Sequence, residues 1–190
     1  IPPTRASNSA GSHDPVSGMR RAWPAHVANT PHDTLFRGVF QFPAEADGLV
    51  RATLPPALVR RLELDSLALV SGGFVHPSLG ERRTDLLFTV QLDGERAYVY
   101  LLLEHQSEPH PRMPWRVLQY VTRIWERHLA TDEEAETLPA ILPIVVYHGK
   151  EPWTKATRLH QLVAPHPDEL GSFATHIPDL ELCLLDIGPG

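Results

Sequence analysis

Cysteine is almost absent from this 190-residue chain, which has one, Cys183, set in an apolar run. A single thiol forms no internal disulfide and no zinc-type cysteine spacing is available. The fold is therefore expected to rest on its hydrophobic core in a reducing compartment, with Cys183 a small buried hydrophobe. Long apolar runs are missing too. None approaches the roughly 20 residues that span a bilayer, and the first residues lack the apolar core of a signal peptide. The expectation is a soluble, cytoplasmic protein with no membrane partner. Positive charge is also short. A net charge of -6 argues against coating nucleic acid through bulk charge, so any contact with DNA needs a local basic patch. The 11 histidines contain no HxH or HxxxH pair and read as surface or hydrogen-bonded residues, with only His32, His105 and His148 beside other candidate residues.

What is present, at 42% apolar residues, is enough for one core and hardly for two, so a single domain is expected over 31–190. Residues 1–30 mix Ser, Pro, Asn, Gly and Ala without periodicity and read as a flexible tail. From Pro31 the pattern turns helical, and Pro43 opens a second helix that runs to the Pro55-Pro56 break. A short helical turn over 56–62 and a first strand over Leu64–Val70 follow.

The centre of the chain is the stretch Arg83 to Gln106, two apolar runs separated by Asp93-Gly94, which is the sequence signature of a β-hairpin. With Asp93 and Gly94 at the centre of a type I′ turn, Leu92 pairs with Glu95 and Asp85 comes to face Leu102. Side chains repeat every second residue, so Glu104 and Gln106 share the face of Asp85. Asp85 and Glu104 stand one diagonal apart, roughly 7–8 Å between Cβ atoms, a gap that two carboxylates close around a hard cation. Two carboxylates, waters and substrate phosphate oxygens make a Mg²⁺ site. Glu104 ends the run Val99–Leu103, which reads as fully buried, so a cation or a positive partner is expected beside it. An ion pair with Arg82 or Arg83 accounts for the acids equally well.

After Gln106 a helix is predicted from about Arg112 to Ala130. At 100° per residue Arg112, Arg116, Arg123 and Arg127 fall in a stripe about 60° wide, while apolar residues cover most of the remainder. That stripe suits a DNA backbone, and it is also what the solvated face of a largely buried helix looks like. Trp115, Trp125 and Trp153 read as packing residues. Ile141–Tyr147 is a buried strand in which Pro143 suggests an edge or a bulge. A short helix near 157–163 and a last strand over Leu180–Ile187 complete an αβββαβ order with one terminal strand.

Several linked motifs carry a resemblance. Pro31-His-Asp-x-x-Phe36-Arg, Glu81-Arg-Arg-x-Asp85-Leu-Leu-Phe, Leu101-Leu-Leu-Glu104-His-Gln106-Ser, Met113-Pro, Arg123-Ile-Trp-Glu126 and Leu142-Pro-x-Val-Val-Tyr147-His-Gly resemble the bacterial recombination-promoting nucleases, also called YhgA-like transposases, from about residue 31 onward. The resemblance implies an α/β fold of the PD-(D/E)XK type, with a central mixed sheet flanked by helices. It also implies a Mg²⁺-dependent endonuclease acting on double-stranded DNA in recombination, mobile-element or defence biology, and leaves room for a homodimer. Carried over, Asp85 and Glu104 take the metal-binding acid positions, and the carbonyl of His105 supplies another oxygen. Gln106 takes the place where many members of that superfamily have Lys, and Asp33 is the auxiliary acid. Relatives usually continue into a further C-terminal segment. The rival reading is a catalytically weak nuclease-like domain that binds DNA or a protein partner.

Overall fold

The computed structural model describes residues 31–70, 85–104 and 108–188, with side chains from residue 34 onward. Helices α1 (Pro31–Phe40), α2 (Pro43–Thr53) and α3 (Pro56–Val59) lead into β1 (Leu62–Leu69), β2 (Leu86–Leu92) and β3 (Glu95–Glu104). Helix α4 (Met113–Thr131), β4 (Ala140–Tyr147) and β5 (Cys183–Asp186) follow. Pro43, Pro56 and Pro114 each sit in the first turn of a helix, where a missing N–H costs nothing because no carbonyl precedes it.

The hairpin has the register that its turn dictates. Pairs run from Leu92 and Glu95 to Leu86 and Leu101. Asp93 and Gly94 have φ of 53° and 82°, the two positive values a type I′ turn requires. Arg61, beside the start of β1, donates to the Asp93 carboxylate from Nε at 2.8 Å and also from Nη2. The Asp93 amide returns a bond to the Arg61 carbonyl at 3.1 Å. The turn is thus tied to the neighbouring strand. β1 pairs antiparallel with β2 but breaks register between Glu63 and Ala68. Within that irregularity Ser66 Oγ accepts from the Gln91 amide at 2.8 Å and donates to the Glu63 carbonyl at 2.6 Å, satisfying groups that the ladder leaves open.

β3 also pairs with β4, and β4 with β5, both in parallel. The result is a five-stranded mixed sheet in the order β1-β2-β3-β4-β5. This is an α/β fold, and its order is consistent with a PD-(D/E)XK-like core. β3 is central and buried on both faces from Ala97 to Glu104. Leu86, Phe88, Val90, Val99, Leu101 and Leu103 point to one side, against Phe36, Ala46, Leu49 and Val50 of α1 and α2. Leu87, Tyr98, Tyr100 and Leu102 point to the other, against Met113, Val117, Tyr120, Val121 and Ile124 of α4.

Some expectations need correction. β4 is not an edge strand, since β5 lies beyond it, but β5 pairs only from Ile144 onward. Among the described residues the strand therefore has a neighbour on one side only at Pro143, and a residue without an N–H fits there. The last strand is shorter than Leu180–Ile187 suggested. The helix expected near 157–163 is a 3-10 turn over Leu159–Leu162. Trp125 and Trp153 pack against the α4-side core, whereas Trp115 is 50% exposed. Among the described residues no helix is long and apolar enough to cross a membrane.

Candidate active site

Continuing the hairpin register by one pair places Asp85 opposite Leu102, flanked on the same face by Tyr100 and Glu104. The two acids therefore lie on the α4 side of the sheet, at the end of the hairpin away from its turn. Glu104 is 0% exposed. Its backbone carbonyl accepts from the His148 amide at 3.1 Å, which extends the β3–β4 pairing past Tyr147 and fixes the strand end that carries the carboxylate.

The residue that meets Glu104 comes from the helix. Arg116 Nη1 donates to Glu104 Oε2 at 2.5 Å, with both side chains out of solvent. This corrects the expected basic stripe. Arg112 and Arg127 are exposed and Arg123 is half-buried, but Arg116 is 7% exposed and turned into the protein. The four do not form one phosphate-facing surface. Burial pulls the Arg116 pKa down, but Glu104, with Tyr120, Asp85 and Tyr100, more than reverses this and leaves it raised. The guanidinium carbon also stands 5.9 Å from the centre of the Tyr120 ring, within the range of a cation–π contact.

Asp85 is held by a residue that the sequence reading passed over. The Tyr100 hydroxyl donates to Asp85 Oδ2 at 2.8 Å, and the Tyr100 and Tyr120 rings pack with centroids 5.2 Å apart. Burial first, then Asp85 and Tyr120, push the Tyr100 hydroxyl well above the usual tyrosine range, with Arg116 acting the other way. A signal for Tyr100 was available, because it has the parity of Asp85 and a buried phenol needs a partner. Arg116 also left a trace. β3 and β4 are parallel, so the connecting helix must run back along β3, and residues in its first turns lie near the strand end that carries Glu104.

Arg37 of α1 reaches the Asp85 carbonyl at 3.5 Å, so α1, which carries Asp33 one turn earlier, passes close to this end of the hairpin. The Asp33 side chain lies outside the described residues, as do His105, Gln106, Arg82 and Arg83. Among the described residues no three His, Cys, Asp or Glu side chains are grouped around a metal position. The donors that are described suit a hard cation in kind: two carboxylates on one face, one fully buried. Arg116 takes Oε2 of Glu104 and Tyr100 takes Oδ2 of Asp85. A carboxylate has two oxygens and about four lone-pair directions, so neither contact exhausts its acid.

Comparison with known proteins adds a lineage. A family model described as "Putative transposase, YhgA-like" matches residues 30–189. Recombination-promoting nuclease RpnC of Escherichia coli is 34% identical over 65% of this chain and 40% of its own length. Recombination-promoting nuclease RpnD, from another strain of that species, is 31% identical over 82% of this chain and 63% of its own. A third Escherichia coli relative, named an inactive recombination-promoting nuclease-like protein, RpnE, is 30% identical over 65% of this chain and 41% of its own. The chain spans less than two thirds of the length of each. No solved structure gives a significant match.

Proposed function

Because this chain belongs to the YhgA-like transposase family, we propose that it is a Mg²⁺-dependent endonuclease that hydrolyses phosphodiester bonds of double-stranded DNA. The observation that carries this reading is the position of Asp85 and Glu104 on one face at the open end of the hairpin, the first bonded to Tyr100 and the second to Arg116. The names of RpnC and RpnD support it. Asp85 and Glu104 would hold the cation, with the His105 carbonyl as a further oxygen. When bound, the cation would supply Lewis-acid polarisation of the phosphate and a lowered pKa for bound water.

The chain's own residues do the positioning. Tyr100 keeps the Asp85 carboxylate in one rotamer from inside the protein, and burial of Glu104 at the end of a central strand keeps that acid from swinging into solvent. Gln106, two residues beyond Glu104, is proposed to orient the attacking water through its amide, which both accepts and donates hydrogen bonds. Asp33 is the proposed auxiliary acid on α1. Exposed Arg112, just before α4, and exposed Arg127 and half-buried Arg123 on it are the proposed phosphate contacts.

One observation favours a second reading. Arg116 already neutralises Glu104, as it would in a silent nuclease-like domain that binds DNA or a protein, and RpnE is named inactive. Nicking of supercoiled plasmid with Mg²⁺ and with EDTA, for the native chain and Asp85→Asn, decides between them. Cleavage that needs both Mg²⁺ and Asp85 supports the endonuclease. DNA binding without cleavage in any divalent cation supports the binding module.

A further inference from the structure

Resting on the reading of Asp85 and Glu104 as cation ligands, we propose that Arg116 is a positioning residue that serves as the site's resident counter-ion: it holds Glu104 in the metal-free protein and competes with the divalent cation for that carboxylate.

Three features of the geometry carry this. Glu104 is fully buried, so its charge cannot be met by solvent, and a carboxylate in that position needs a positive group whether or not a cation has arrived. Among the described residues Arg116 supplies such a group, at 2.5 Å from Oε2. Its own side chain is only 9% exposed, boxed by Glu104 and by the Tyr120 ring, while Met113 and Val117 on either side of it are at 0% exposure and anchor the same helical turns in the core. A divalent cation that reached Glu104 would therefore meet a cation of like sign that has little room to withdraw. Repulsion between like charges in a poorly solvated site is strong, so the guanidinium must lower cation affinity even while it keeps the empty site folded.

The two effects have opposite signs and can be measured separately. Mg²⁺ and Mn²⁺ are titrated calorimetrically into the native chain, Arg116→Met, Arg116→Gln and Arg116→Lys, and each is melted in EDTA and in saturating Mg²⁺. Arg116→Met is expected to melt about 10 °C or more below the native chain in EDTA, the scale for stranding one member of a buried ion pair in a chain of this size. Its affinity for divalent cations is expected to rise at least tenfold, with Mg²⁺ restoring most of the lost melting temperature. Arg116→Lys, which keeps the charge, should stay within a few-fold of native affinity. If Arg116→Met does not fold, Arg116→Gln, which keeps a donor for Glu104 without the charge, gives the same comparison.

Unchanged or weaker cation affinity in the uncharged variants, with cation binding by the native chain intact, overturns the counter-ion role and leaves Arg116 as packing. Absence of divalent binding in every variant removes the cation site itself, and the inference with it. That outcome is told apart by the Arg116→Met and Arg116→Gln titrations, which show no binding even with the guanidinium removed.

Discussion

The Tyr100 hydroxyl and the Asp85 carboxylate are joined across a diagonal of the hairpin by a 2.8 Å hydrogen bond. The Tyr120 ring of α4 packs on Tyr100 from the other side. One candidate acid is thus held by the sheet beneath the helix, while the other, Glu104, is held by the helix itself through Arg116. The packing of α4 on β3 reaches both.

Tyr100→Phe tests the first contact through pH. Folded Tyr100 has its pKa raised well above 10.0, so as pH rises past about 10 the unfolded chain loses this proton first and the native state holds it. Stability from this group is complete below the unfolded pKa and is lost as pH rises toward the folded value, at up to about 1.4 kcal/mol per pH unit. Urea unfolding from about pH 9 to about pH 11 is expected to show a shallower alkaline loss in Tyr100→Phe than in the native chain. Equal slopes would assign the alkaline limb to other groups, such as Tyr147, whose hydroxyl is raised by burial first and then by Asp186. Near neutral pH the substitution should cost about 1.5–3 kcal/mol, the worth of a hydrogen bond to a charged group.

Glu104→Ala should destabilise the metal-free protein. Two neighbouring carboxylates taken alone predict the reverse, because removing one relieves repulsion. Arg116 changes the sign: without Glu104 its guanidinium loses its nearest counter-charge in a site that is 7% exposed, at a cost of about 3–5 kcal/mol. Chemical denaturation in EDTA reads this directly. A stability equal to or above native would mean that Arg116 finds another partner or reaches solvent.

Replacing Arg112 and Arg127 together with Gln should weaken DNA binding alike on all sequences and reduce the salt slope of log K by about one unit per lost phosphate contact. Binding measured at several salt concentrations checks it. An unchanged slope would leave the exposed arginines of α4 as solvated surface, with the DNA contact elsewhere.

Gly149→Ala tests the end of β4. A Cβ at Gly149 would fall 1.8 Å from the Tyr147 hydroxyl oxygen and 2.1 Å from Cζ of the same ring. The ring cannot move aside easily, because Tyr147 is fully buried, stacks edge-on against Trp153 at 5.1 Å and donates to the Glu151 carbonyl at 2.8 Å. A loss of about 1–3 kcal/mol is expected, as for other overpacked sites, with a lower denaturation midpoint and an unchanged m-value as the readout.

The hairpin could be read from the sequence because its determinants are local. Asp93-Gly94 admits the two positive φ values of one turn type, the turn sets the pairing, and period-two alternation then puts Asp85, Tyr100 and Glu104 on one face without knowledge of anything else in the fold. The start of α4, expected at about Arg112 and found at Met113, and the buried run of β3 were legible for the same reason. Two things were decided only when the elements packed. Whether β4 was an edge strand depended on where β5 docked, and the short pairing from Ile144 onward left Pro143 a one-sided position that a propensity argument could not assign. Which arginine of the α4 stripe went inward depended on how far along the helix each one lay. The parallel crossover carries the first turns of α4 past the end of β3, and Arg116 there meets a buried carboxylate, while Arg127 sits three turns further on. A helical wheel records angle and discards distance along the axis, so four arginines in one 60° stripe looked equivalent until burial of Glu104 drew one of them into the core.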